Sequence, residues 1–296
     1  MQQKAFHIPV LAIVGVGLIG GSLAAALKQA QVAGRVLGVG RKGQTLKEAL
    51  QLGLIDEVAS PEQAAALADV IVLATPISAI TTVLQQMKPH LRAHTVLTDV
   101  GSTKKEVVRQ ARTALGATFK RFVPGHPIAG AEKAGPAAAS ADLFRRRNVI
   151  LTPVHDTSAV AQKTVLSMWS ACDARVLTMS PATHDEVLAS VSHVPHFLSS
   201  VYMWQVASAD DADVRLRLAG TGFRDFTRIA AGSAEVWRDI FLSNKEAVLQ
   251  ELAQVQKAFK QAEQALQNND EQALFEFLEK AALARRLWVS RSGYRE

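Results

Sequence analysis

Over the first 180 residues, apolar and polar positions come in blocks. Short apolar, β-branched runs lie at 10–14, 35–39, 70–74, 95–98, 122–123, 149–151 and 176–177. Most are separated by segments of helical spacing, such as 77–87 and 104–115. Strands apolar on both faces, alternating with helices, predict a parallel sheet covered on both sides. Beyond residue 180 the strand-like runs cease. Residues 181–208 are apolar with a helical period, and Pro195 within them predicts a kink. Segments 242–267 and 271–289 continue in the same manner, broken at Asn268-Asn269-Asp270. The pattern predicts an α/β domain over residues 1–180 and an all-helical domain over 181–296.

Residues 10–27 carry no charge and follow Lys4, superficially like a membrane span or export signal. Gly15, Gly17, Gly20, Gly21 and Ser22 interrupt the stretch, however. A strand, a glycine turn and an alanine-rich helix account for it better, so a cytoplasmic protein without a membrane anchor is expected. At 296 residues the chain is long enough for two ordinary domains. One cysteine, Cys172, excludes an internal disulfide framework and a cysteine-cluster metal site.

The glycines carry the first chemistry. Gly15-Val-Gly17-Leu18-Ile19-Gly20 follows a predicted strand and opens a predicted helix, the context that gives this motif its meaning. The first glycine permits the tight turn, and the second lets the backbone approach a pyrophosphate. The third lets helix and strand pack closely, with the helix N-terminus facing the phosphates. A Rossmann-type dinucleotide domain is therefore expected. About twenty residues on, where a carboxylate would bind the ribose 2′-hydroxyl of NAD, the chain reads Val39-Gly40-Arg41-Lys42. Lost carboxylate repulsion and added positive charge favour the 2′-phosphate of NADP, with NAD as the alternative.

Ligands of open α/β sheets bind beyond the carboxyl ends of the strands. Thr75-Pro76 follows one strand there, Asp99-Val-Gly101-Ser102-Thr103-Lys104 another, and Gly125-His126-Pro-Ile-Ala-Gly130-Ala-Glu132 a third. Thr75 and Pro76 suit a nicotinamide pocket, and His126 can project its imidazole into the cleft. The helical part adds Ser192-His193-Val-Pro195-His196, whose two histidines share a helix face. His184 and Asp185 lie nearby in sequence, but no standard zinc spacing appears, so no metal is expected. Arg224, Arg228 and Trp237 follow, and arginine suits a carboxylate through its fork of donors. The net charge of +6 fits nucleic acid and small polyanionic substrates equally. Arg145-Arg146-Arg147 reads as a solvated loop, so no nucleic-acid partner is expected.

Together GVGLIGGS (15–22), TDVGSTK (98–104), GHPIAGAEKAG (125–135), SHVPH (192–196), GFRDFTRIA (222–230) and WRDIFLSNK (237–245) resemble the prephenate/arogenate dehydrogenase family of tyrosine biosynthesis. The resemblance implies a nucleotide-binding domain followed by a helical dimerisation domain, and hence a homodimer. It implies His126 as the catalytic histidine and Ser102 as its partner. It further implies Ser192, His196, Arg228, Glu132, Arg224 and Trp237 around the substrate, with Arg228 on a carboxylate and Glu132 shaping the pocket. Arg224 stands where some relatives have lysine, and Gly40 where NAD-using relatives have an acid. At this length neither a fused mutase nor a regulatory domain is expected beside these two. The implied reaction is oxidative decarboxylation of prephenate or arogenate. Two rivals are a β-hydroxyacid-type dehydrogenase, which would depend on a lysine from the helical domain, and a non-catalytic NADP sensor. The sensor has no reason to keep His126, Ser102 and Arg228 together.

Overall fold

A computed structural model describes residues 6–41, 43–131 and 133–292. The chain opens with β1 (Ile8–Val14), α1 (Leu18–Gln29), β2 (Ala33–Val39), α2 (Gly43–Gln51), β3 (Glu57–Val58) and α3 (Pro61–Leu67). It continues with β4 (Val70–Leu73), α4 (Ile80–Met87), β5 (Val96–Asp99), α5 (Lys105–Leu115) and β6 (Phe122–Val123). These six strands form one parallel sheet in the order β3-β2-β1-β4-β5-β6. Successive residues of β1 feed opposite faces. Leu11 and Ile13 join a core with Leu23, Leu27 and Trp169, while Ala12 and Val14 join another with Leu37, Leu97 and Phe122. Burial on both faces is why these strands are unbroken apolar runs.

The runs at 149–151 and 176–177 do not extend this sheet. After Pro124 the chain forms β7 (Gly125–Pro127), then β8 (Asn148–Leu151), α6 (Ala159–Ala171) and β9 (Arg175–Thr178). These strands make a separate sheet, β7-β8-β9, with β7 antiparallel to β8 and β8 parallel to β9. Cys172, at the end of α6, is buried, and burial pushes its thiol up to about 12.

The helical part comprises α7 (Pro181–Leu188), α8 (Val194–Ala207), α9 (Ala212–Arg217), α10 (Thr221–Thr227), α11 (Ala234–Ser243), α12 (Lys245–Gln267) and α13 (Glu271–Ser292). Between α7 and α8 lies one π-helical turn, Ala189–His193. Pro195 has no N–H to give the Val191 carbonyl, so the ladder widens just ahead of it rather than simply bending. The chain divides into two compact units, residues 1–245 and 246–296. Architecture changes at 180, but packing joins α7–α11 to the sheets. Thr103 Oγ1 donates to Ser243 Oγ at 3.0 Å, and Ser78 Oγ to Asp239 Oδ2 at 2.9 Å.

Candidate active site

At the carboxyl end of β5, Asp99 gathers the loops around it. One oxygen accepts from the Gly101 N–H at 2.7 Å and from Lys104 Nζ at 2.5 Å; the other accepts from the Gly125 N–H at 3.1 Å. Lys104 Nζ also donates to the Gly125 carbonyl at 2.6 Å, and neither charged side chain reaches solvent. Burial pulls the Lys104 ammonium down in pKa while Asp99 beside it pushes back. Removing one member of such a pair strands the other charge, typically at about 3–5 kcal/mol. The pair ties the loop carrying Ser102 to β7, which carries His126.

His126 thus sits within a strand rather than after one. Its Nδ1 lies 2.8 Å from His184 Nε2, and His184 Nδ1 lies 2.8 Å from Asp185 Oδ1. The Asp185 carboxylate also accepts the Lys104 and Lys105 N–H groups at 2.7 and 2.8 Å, satisfying donors at the start of α5. His184 Nδ1 must therefore carry a proton toward Asp185, leaving its Nε2 to accept from His126 Nδ1–H. The His126 Nε2 lone pair then has no hydrogen-bond partner among the described residues. Burial, chiefly, holds His126 well below the ordinary histidine value, helped by His184, Lys104 and His193. Burial likewise lowers His184, with Asp185 opposing.

A second branch leaves Asp185 through its backbone. Asn244 Nδ2 donates to the Asp185 carbonyl at 2.7 Å and lies 3.1 Å from His193 Nδ1. His193 in the π turn is buried, which lowers it to about 4, and its Nε2 has no hydrogen-bond partner among the described residues. Trp237 packs edge-on to His193 and stacks on His196 with centroids 3.6 Å apart. His196 Nδ1 donates to the Ser192 carbonyl at 2.9 Å, so its Nε2 is the free acceptor. Burial lowers His196, and the neighbouring Arg228 guanidinium lowers it further. Gly232 makes the stack possible, because a Cβ there would lie 2.6 Å from Trp237 Nε1.

The β1–α1 turn fits a dinucleotide. Gly15 has φ +98°, and a Cβ on it would meet the Ala74 carbonyl oxygen at 2.4 Å. A Cβ on Gly20 would strike Gly15 O at 2.2 Å, so helix and strand pack without a side chain between them. Gly17 has open space before it and caps α1 without a side-chain hydrogen bond, leaving donors for phosphate oxygens. Thr75 Oγ1, just past β4, is buried without a hydrogen-bond partner among the described residues. At the end of β2, a Cβ on Gly40 would meet only ordinary contacts with Leu46. Packing therefore does not dictate glycine there.

With that geometry, comparisons with known proteins are specific. Residues 23–178 match the prephenate dehydrogenase nucleotide-binding domain, and residues 180–280 the prephenate dehydrogenase dimerization domain. The chain belongs to the prephenate dehydrogenase family. It is 34% identical over 276 residues to a Bacillus subtilis prephenate dehydrogenase, covering 91% of this chain and 73% of that protein. It is 33% identical over 279 residues to a Zymomonas mobilis cyclohexadienyl dehydrogenase, covering 93% and 94%. A crystal structure of prephenate dehydrogenase from A. aeolicus, in complex with hydroxyphenyl propionate and NAD+, superposes with a TM-score of 0.89. Their identity is 33%, over 96% of this chain and 99% of that one. The family's members are oxidoreductases of tyrosine biosynthesis, and this chain is a nicotinamide-dependent dehydrogenase of that kind.

In this member of the prephenate dehydrogenase family, one hydrogen-bonded and stacked network links His126 to Trp237 and His196, with Arg228 beside it. Ser102 is half-buried on the Asp99-anchored loop, and Ser192 is half-buried in the π turn. Gly15, Gly17, Leu18, Ile19 and Gly20 lie in the β1–α1 turn and the start of α1, with Thr75 and Pro76 just past β4. Arg41 is exposed beyond β2. Arg224 is not drawn into the network: it faces Asp225 at 3.9 Å, both side chains three-quarters exposed. Glu132 and Lys42 lie outside the described residues. His184, Asp185 and Asn244 had no assigned role in the sequence. His184 and Asp185 lie 58 and 59 positions from His126, and no spacing rule joins them.

Proposed function

We propose that this cleft oxidises prephenate or arogenate with loss of CO₂, with NADP as preferred acceptor and NAD as the alternative. His126 Nε2 takes the proton of the ring hydroxyl. The Gly15–Gly20 turn with Thr75 and Pro76 would hold a nicotinamide dinucleotide, which would supply the hydride acceptor for the carbon that bears this hydroxyl. As the ring carboxylate departs as CO₂ its bonding pair enters the ring, and His126 returns the proton to the phenolate oxygen. General-base help of this kind contributes about 10²–10⁴-fold. Ser102 orients the hydroxyl, Ser192 and His196 hold the ring's far side, and Arg228 fixes a carboxylate. Trp237 borders that end through its stack on His196, and the family resemblance assigns Arg224 and Glu132 to the substrate as well. The observation that carries this reading is the open Nε2 of His126, kept neutral by burial at the edge of a nucleotide-binding sheet.

NADP is supported by the acid-free Gly40 and the exposed Arg41 at the end of β2. A homodimer is supported by the match to a dimerization domain and by large apolar side chains left exposed on α12 and α13, among them Phe259, Leu266, Phe275 and Leu278. A cytoplasmic location is part of the same proposal, and no helix among the described residues is long and apolar enough to cross a membrane. The domain boundary at 180 belongs to the same proposal. The deciding experiment crosses prephenate and arogenate with NADP and NAD and follows nicotinamide absorbance. Reduction with either substrate and a higher kcat/KM for NADP are expected. Turnover of neither substrate would overturn the activity, and an NAD preference would overturn the reading of Gly40 and Arg41.

A further inference from the structure

The geometry points to His184 and Asp185 as positioning residues that set the proton state of His126. The inference rests on the reading of His126 as the base and adds what makes that histidine competent. A neutral imidazole carries its proton on one nitrogen only, and on the wrong one it cannot accept from substrate. Here the choice is made from behind. Asp185 is fixed by two backbone donors at the start of α5 and takes the proton of His184 Nδ1. His184 Nε2 is then an obligate acceptor, and at 2.8 Å only His126 Nδ1–H can supply it. The three side chains are buried together, so water does not offer His126 Nδ1 another partner.

The same line serves the moment of reaction. When His126 takes a proton it becomes a cation in a buried site that disfavours charge. Its Nδ1–H then points at His184, whose own proton points at the Asp185 carboxylate, so the positive charge is met by an aligned dipole and an anion. An Asp–His pair acts this way in serine proteases, where neutralising the Asp lowers kcat by about 10⁴. The intervening imidazole here lengthens the line by one ring. Asp185 also holds the Lys104 and Lys105 N–H groups. The residue that orients the base therefore also fixes the loop bearing Ser102.

The test begins with the unaltered full-length protein. Selective ¹⁵N labelling of histidine, with His126 assigned from its loss in His126→Asn, is expected to show a protonated Nδ1 and a bare Nε2 near pH 7.5. Observation of the opposite tautomer overturns the inference whatever the variants do. His184→Phe keeps a ring but no acceptor; it should lower kcat about 10²-fold, leave both KM values within threefold, and mix the His126 tautomers. His184→Gln, whose carbonyl can still accept from Nδ1–H, should recover at least a tenth of the wild-type kcat. A folded His184→Phe with kcat within threefold of wild type would sink the role. Equal loss in both variants with one tautomer retained would reduce His184 to a packing residue, which also overturns it. If His184→Phe does not fold, the tautomer and His184→Gln decide. Normal turnover in His126→Asn would remove the base reading itself, and the tautomer measurement keeps the two failures apart.

Discussion

His126 combines a job that needs a lone pair with surroundings that deny it a proton. Its depressed pKa means the base is already free at neutral pH. The acid limb of kcat/KM should therefore fall below the ordinary histidine value of 6.5, with a flat profile from about pH 7 to 8. His126→Asn should lose about 10²–10⁴-fold in kcat with cofactor affinity retained, and lose that limb. A limb centred above pH 7 would contradict the burial argument. Arg228 makes a different claim, on binding. Truncating one partner of a desolvated charge pair typically costs about 2–5 kcal/mol, so Arg228→Ala should raise the substrate KM at least about tenfold. Arg228→Lys should recover part of this, returning charge without the fork. A lower melting temperature with unchanged KM would instead make Arg228 a fold-supporting ion pair. At this scale the sequence was readable where a motif fixes the backbone, as at Gly15 with its φ of +98° against Ala74. It was silent on Lys104, which opens a helix like any surface lysine yet is wholly buried against Asp99.

Elements explain why those side chains meet. The π turn and α8 present Ser192, His193 and His196, and α11 brings Trp237 onto His196. The approach depends on Gly232 in the loop before α11. Gly232→Ala puts a methyl 2.6 Å from the indole nitrogen, so the ring must leave the stack. A roughly tenfold drop in kcat/KM is expected, with altered near-ultraviolet dichroism and a nearly unchanged melting temperature. Unchanged kinetics would show that the stack does not shape the pocket. The β1, β2, β4 and β5 strands were legible because a doubly covered strand has no polar face. The β7 strand was not, since Gly125, His126 and Pro127 carry none of the usual strand preferences and pair only because β8 lies alongside. Pro195 announced an interruption, but whether a helix bends or widens depends on packing the sequence does not display.

The whole molecule keeps several histidines dry. His126, His184, His193 and His196 all have lowered pKa values, with burial the largest cause for each. The unfolded chain takes up protons as pH falls through about 6.5, while the folded chain does not until each lower value is reached. Stability from these groups is thus complete above about pH 6.5 and is lost on acidification, for His193 between about 6.5 and 4. That one group corresponds to about 3 kcal/mol. The melting temperature should fall steadily from pH 7 to pH 5, and a flat or rising profile would refute the account.

Cys172 has a practical consequence. It is the sole cysteine of 296 residues, and burial pushes its thiol up to about 12. Alkylating reagents attack the thiolate, and a buried thiol whose pKa is pushed up offers little of that form near pH 7. The native protein is therefore expected to react only slowly with maleimides, which a labelling time course by mass spectrometry would check. A cysteine placed at an exposed site away from α12 and α13, as in Val160→Cys, would be the one position to take a dye or spin label. Distances between two labelled copies could then be measured in solution without first removing anything from the natural chain.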